Sequence, residues 1–316
     1  MKNDLGHPLA GNLRDGDWML DYIISRLTRR PGTFGLSKWL GTAFSHIRKL
    51  PRFLIPAYFD TVITNVASKI VAHATTEMSP FISTGSDFVK KLAVGSVIHM
   101  SSVPSAPLPP ISSLLDPPRL QSSSTLAAGL PHFSTGYMRS WGRDTFISLR
   151  GLLLVTGRFV EARDIILGYA GCLRHGLMPN LLDRGVNARF NCRDAIWWWL
   201  RAILDCIEIS EDYTILKSPV LRLYPRDDSP VTINCKDSSL TSQPLADVIH
   251  EALQVHFNGL KFRERNAGQK IDEHMTDLGF NNEIGVDPET GFVFGGNVDN
   301  CGTWMDKMGS SQVCSF

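Results

Sequence analysis

Six prolines stand between Pro104 and Pro118, surrounded by serines. Proline donates no backbone N–H and clashes with the preceding helical turn, so such a stretch propagates neither a helix nor a central strand. Residues 101–125 therefore read as a linker or a long surface connection, the best domain boundary in the chain. They part a front segment, residues 1–100, from a longer one, residues 126–316.

Apolar residues recur at helical spacing on both sides of this break. In front, residues 15–30 form one amphipathic pattern, with Arg29 and Arg30 in the last turn. A second runs over 36–50 and stops at Pro51. Residues 56–74 favour a buried helix, although their β-branched content also suits a strand. Behind the break, 145–156 reads as a short helix interrupted by Gly151, and 160–174 places Ala162, Ile165, Ile166, Tyr169 and Ala170 on one side. Ala195, Trp198, Trp199, Ala202, Ile203 and Cys206 form a stripe along 193–209. Residues 246–257 give another helix, and Asp287–Gly291 a turn into a hairpin strand. The order is helix, polar loop, helix, repeated. The expected class is mainly α, and this alternation suits an α/α toroid whose loops line one mouth and hold the chemistry.

The 316 residues carry a formal net charge of +1, with no basic stripe and no long charge run. That argues against nucleic acid, whose phosphates require clustered Lys and Arg. A neutral polymer such as a polysaccharide fits the balance. The six cysteines lack CxxC pairing and read as reduced thiols. The start, MKNDLGHPLA, has no signal-peptide core, and no apolar run is long enough for a bilayer. The expectation is a cytoplasmic protein with no membrane partner. No Rossmann or P-loop glycine pattern is present, no GxSxG elbow, and no His/Cys set at metal-ligand spacing. No metal or other cofactor is therefore expected.

Four segments concentrate chemistry-bearing residues. SWGRDTF places Trp141, Arg143 and Asp144 at a helix start. Asp144 can serve simply as an acid in the first turn, with Arg143 as its partner. The same trio suits a sugar ring, stacked on indole and hydrogen-bonded by the charged groups. LRHGLMPN brings His175, Gly176, Pro179 and Asn180 after a helix end, Gly176 being a natural cap. NCRDAIWWW repeats the Arg-Asp dipeptide as Arg193 and Asp194. A helix cap at Asn191 or Asp194 and core tryptophans account for part of it. GGNVDNCGTWMDKMG sets Trp304 two residues before Asp306. A carboxylate beside an indole in an enclosed loop has a raised pKa, as a general acid for glycoside cleavage requires. An exposed Asp306 paired with Lys307 fits the residues equally.

Together WGRDTF, RHGLMPN, NCRDAIWWW, FRERNAG and NCGTWMDKMG resemble the C-terminal glucosidase region of eukaryotic glycogen debranching enzymes. GHPLAGNLRDGDWMLDYI and RFLIPAYFD resemble the region just upstream. The resemblance runs from about residue 6 to residue 309. It implies an (α/α)6 barrel, here incomplete and preceded by the helical end of the central region. The implied activity is hydrolysis of α-1,6-linked glucose from glycogen limit dextrin, with inversion through two carboxylates. By the resemblance Asp306 is the general acid, Trp141, Arg143 and Asp144 hold the glucose, and Asn180, Arg193, Asp194 and Trp304 complete the pocket. The family's transferase barrel and its general base are expected outside this chain, which leaves the pattern after Gly309 at SSQVCSF. An isolated chain ending there is expected to expose apolar helix faces, to be poorly stable and to release little glucose. The alternative is a non-catalytic glycogen-binding or regulatory fragment.

Overall fold

A computed structural model describes residues 12–300 except 102–106, 116–117, 119, 123, 127–138, 184–186, 191, 227–228, 230–241, 265–266, 269, 271–272, 274–275 and 297–298. Contacts divide the chain into two compact units, Met1–Glu77 and Met78–Phe316. The division falls before the proline-rich segment. Residues 78–100 belong to the second unit, where Ser79 bonds the Val155 and Thr156 carbonyls and Met100–Ser101 (β1) pairs antiparallel with Thr125–Leu126 (β2).

The first unit is helical. After a single turn at Asn12–Asp15 come α1 (Trp18–Thr28), α2 (Phe34–Ile47) and α3 (Ile55–Thr76). The ambiguous segment is thus a helix, entered through Pro56, whose missing N–H would be unbonded there anyway; it is not the buried helix expected, since Tyr58 and Ile70 are half exposed and its core contacts lie along one side. Leu13, Met19, Leu20, Leu40, Phe44, Ile47 and Ile55 share one core. Arg52 holds Asp17 at 2.7 Å, and Arg48 pairs with Asp21.

The second unit is organised by four helices after α4 (Asp87–Ser96), which Ser86 caps by accepting from the Val89 N–H. They are α5 (Gly142–Leu149), α6 (Phe159–Ala170), α7 (Ala195–Ser210) and α8 (Leu245–Asn258). Where Gly151 marked an interruption, α5 runs on as π-helix over Arg150–Leu154. The α6 helix is buried almost all round, from Asp164 to Ala170 without a break. On α7 the buried set Ala195, Ile196, Trp199, Ala202, Ile203, Cys206 and Ile207 keeps helical spacing. Trp199 is wholly buried and its indole N–H donates to the Ile166 carbonyl at 3.2 Å, docking α7 on α6. Trp198, expected in that stripe, is instead 39% exposed, because the neighbouring Trp199 takes the core-facing position.

Short strands lie before, between and after these helices in the chain. Arg139–Trp141 (β3), Leu181–Asp183 (β4) and Asn187–Arg189 (β5) make an antiparallel sheet in the order β3-β4-β5. Pro219–Leu221 (β6) pairs with Ser242–Pro244 (β7). Leu260–Arg263 (β8), Asn281–Val286 (β9) and Val293–Gly295 (β10) form a third sheet, with β9 central. Asp287–Gly291 is the expected hairpin turn. Asp287 Oδ1 accepts from the Glu289 N–H, and Gly291 closes the turn at a φ of 73° that favours glycine.

The described part of the proline-rich segment is a packed strap. Leu115 is buried, and Leu108 and Ile111 lie against the main core. Gln121 donates to the Pro109 carbonyl and accepts from the Ile111 N–H, while the Ser122 N–H reaches Asp164 on α6 at 2.7 Å. Among the described residues no helix is long and apolar enough to cross a membrane.

Candidate active site

The site is built where β3 runs directly into α5. Trp141 ends the strand opposite Leu181, and Gly142 begins the helix. No other residue fits at 142: a Cβ there would lie 2.2 Å from the Pro179 carbonyl oxygen. This close approach lets one residue, Asn180, grip the helix start. Its carbonyl accepts from the Gly142 N–H at 2.7 Å and its side-chain Oδ1 accepts from the Arg143 N–H at 3.3 Å. Its own N–H donates to the Arg189 carbonyl at 3.0 Å. A helix start leaves backbone N–H groups without intrahelical acceptors, and wholly buried Asn180 satisfies two of them.

The Arg143 side chain then crosses to the next helix start. Its Nε donates to Asp194 Oδ1 at 2.9 Å and its Nη2 to Cys192 Sγ at 3.0 Å, while the Cys192 thiol donates to the same Asp194 oxygen at 2.8 Å. The two Arg-Asp dipeptides are therefore crossed. Arg143 serves the acid of the other motif rather than its neighbour Asp144, which sits exposed in the first turn of α5. Nor does the Asp194 carboxylate cap α7; its side chain is committed to Arg143 and Cys192, and only its backbone carbonyl opens the helix, accepting from Trp197 and Trp198. Arg193 is buried beside it, at 3% exposure. The enclosed guanidinium of Arg143 is tolerable because a carboxylate and a thiol face it.

The structure thus brings together Arg143, Asn180 and Asp194 by direct bonds, with Trp141, Asp144 and Arg193 next to them in the chain. Trp304 and Asp306 lie outside the described residues. Sequence reasoning missed Cys192, a thiol inside a motif noticed for its charges. It also missed Glu264, in FRERNAG, which grips Arg189 Nε through both oxygens at 2.9 Å and accepts from the Phe190 N–H. A third is His256 on α8, fully buried, whose Nε2 donates to the Gly176 carbonyl at 3.0 Å. Burial holds the His256 pKa below the usual imidazole value. Burial likewise raises the Tyr169 pKa, even though its hydroxyl shares a 2.7 Å hydrogen bond with Ser140 on β3. Gly176 is not a helix cap: α6 has ended at Ala170, and Gly176 lies in a separate turn.

Indole, guanidinium, carboxylate and primary amide converging at helix starts suit a neutral polyhydroxylated ligand, which needs both donors and acceptors along a stacking face. Among the described residues no cluster of His, Cys, Asp or Glu could hold a metal ion. The family model described as Amylo-alpha-1,6-glucosidase matches residues 85–315. The chain belongs to the amylo-α-1,6-glucosidase family. The glucosidase match spans all eight residues singled out from the motifs, and it begins a few residues into the second compact unit. Residues 1–27 match a further model, the central domain of human glycogen debranching enzyme. Across 314 residues the chain is 45% identical to a protein of Saccharomyces cerevisiae named glycogen debranching enzyme, an alignment covering 98% of this chain and 20% of that relative. The chain therefore corresponds to about a fifth of the yeast protein's length.

Proposed function

We propose that this chain forms the glucose-holding side of an α-1,6-glucosidase site acting on branch points of a glycogen limit dextrin, within an (α/α)6 barrel. Asp306 is the general acid that protonates the leaving glycosidic oxygen, in an inverting reaction where a second carboxylate activates water. Trp141, Arg143 and Asp144 hold the branch glucose, the indole by stacking, and Asn180, Arg193, Asp194 and Trp304 complete the pocket. The observation that carries this reading is the crossed Arg143–Asp194 pair, locked by Cys192 and set next to Trp141 and Asn180. Fixing these groups before substrate arrives spares their ordering cost on binding.

The test is calorimetric titration of the purified chain with limit dextrin, together with an assay for free glucose. The parent is expected to bind, and Trp141→Ala to bind about tenfold or more weakly, the loss expected for an aromatic stacking contact and its buried area. No binding by the parent refutes the reading. The parent is expected to release little glucose, and that little is expected to disappear in Asp306→Asn; release that survives this change removes Asp306 as the acid.

A further inference from the structure

The turn that delivers Asn180 to the site is held by a histidine far away in the sequence. Arg174 and Leu177 exchange both backbone hydrogen bonds, at 3.1 and 2.8 Å. Between them His175 and Gly176 adopt φ angles of 53° and 70°. Two successive left-handed residues inside a doubly bonded pair are the mark of a type I′ turn. Such a backbone is costly for His175, which carries a Cβ, so the turn needs support from outside. Phe262 on β8 supplies part of it, stacked on the His175 ring with centroids 4.1 Å apart. The α8 helix supplies the rest. It packs so tightly that a Cβ on Gly176 would come within 2.7 Å of the Val255 side chain, and His256 Nε2 donates to the Gly176 carbonyl.

The same imidazole touches the other limb of the site. Its ring meets the Trp197 ring edge-on, with centroids 4.9 Å apart. Trp197 lies in the first turn of α7, where its N–H bonds the Asp194 carbonyl at 3.0 Å. Because the Gly176 carbonyl only accepts, Nε2 carries the proton. Nδ1, buried and without a hydrogen-bond partner, is then the bare acceptor of a neutral ring. A core position that needed only bulk would be filled by leucine or phenylalanine without an unsatisfied nitrogen.

We infer that His256 is a positioning residue of the candidate site, fixing the turn that carries Asn180 against the helix that starts at Asp194. It acts through Gly176 and Trp197 and touches no ligand. The inference rests on the glucosidase reading only for what the site binds; the placement of Asn180 is a property of the free protein.

Two variants of the full chain separate the roles. His256→Leu keeps the bulk and loses the donor, whereas His256→Gln sets an amide nitrogen near the reach of Nε2 and restores it. Amide hydrogen exchange is read at Leu177, Asn180, Gly142 and Arg143, with Ile203 in the middle of α7 as reference. In His256→Leu the first four amides are expected to exchange about fivefold faster or more, the change associated with one lost hydrogen bond. Ile203 is expected to hold, and His256→Gln to return all four toward the parent. Unchanged exchange in His256→Leu, an equal rise at Ile203, or no recovery in His256→Gln each overturns the inference. Limit-dextrin affinity is then measured on the same proteins, with loss in His256→Leu and recovery in His256→Gln expected. A parent that binds no dextrin refutes the glucosidase reading while the exchange data still decide the role of His256. A parent that does bind dextrin, but no better than His256→Leu, overturns the inference itself.

Discussion

Gly142→Ala adds one methyl group at the start of α5, and its effect follows from a single distance. The new Cβ would stand 2.2 Å from the Pro179 carbonyl oxygen, more than an ångström short of the 3.4 Å at which ordinary contact begins. The Tyr169 ring carbon, at 3.5 Å, would be in ordinary contact, so the clash is with the Pro179 backbone alone. The oxygen is backbone, followed by wholly buried Asn180, so it cannot swing away as a side chain would. Relief must come from parting β4 and the α5 start, which lengthens the Gly142–Asn180 and Arg143–Asn180 hydrogen bonds. Overpacking of this kind costs about 1–3 kcal/mol, and each weakened hydrogen bond adds about 1 kcal/mol. Alanine's better helix propensity offsets about 1 kcal/mol of that. A net loss of about 2–4 kcal/mol lowers the melting temperature of a unit this size by on the order of 10 °C. Differential scanning calorimetry measures it, with Gly95→Ala as control. That position lies in α4 with nothing within 4 Å of the added Cβ, and the exchange should leave stability unchanged or raise it by up to about 1 kcal/mol. A Gly142→Ala protein that melts within a degree of the parent would refute the claim that this close approach builds the site.

Glu264→Ala removes both contacts to Arg189 and the acceptor of the Phe190 N–H. Since the Arg189 side chain is one-third exposed, water screens part of that pair, and a loss of about 1–2 kcal/mol in urea unfolding is expected; an unchanged midpoint would show that this clamp adds nothing. His256 makes stability depend on acid. Its folded pKa lies below the ordinary 6.5, so the unfolded chain takes up the proton first. The contribution is complete above pH 6.5 and declines as the pH falls below that value, through the folded pKa. A urea-midpoint series from pH 7.5 to about 5 is expected to fall more steeply for the parent than for His256→Gln, which has no ring to protonate. Parallel profiles would contradict the assignment of a buried neutral imidazole.

The helices were legible because they carry apolar residues at 3.6-residue spacing over three or more turns. Even the β-branched segment became the helix α3. The short strands were not. Three-residue pieces such as β3 and β5 contain too few positions to show an alternation, and the polar sequence of Gly176–Asn191 looked like plain loop. Composition singled out Arg143, Asp194 and Asn180, but it could not reveal who pairs with whom. Neighbours in the chain are the natural guess, whereas the fold crosses Arg143 over to Asp194. Asn180 looked weak within LRHGLMPN because its work is done by a backbone carbonyl and one amide oxygen, and neither role leaves a compositional trace. Cys192, Glu264 and His256 went unnoticed because each acts through a contact more than forty residues away in the sequence or beside a charge that drew attention first.

The strap over α6 turns a liability of its sequence into a use. A segment laid on an apolar helix must leave its N–H groups facing greasy surface, each needing an acceptor. Proline brings no such group, and its locked φ leaves little freedom to lose when the chain is pinned down. The composition that forbids a helix here therefore suits a thin cover, close enough that the Pro109 carbonyl would sit 2.8 Å from a Cβ on Gly168. It follows that this stretch is not an exchangeable tether. Replacing residues 107–122 by a glycine-serine spacer of equal length would preserve connectivity yet unroof α6, and the backbone N–H at 122 that reaches Asp164 would no longer be held in place. Spacing between flanking elements would survive such a swap, and the waterproofing of the helix that carries Tyr169 would not.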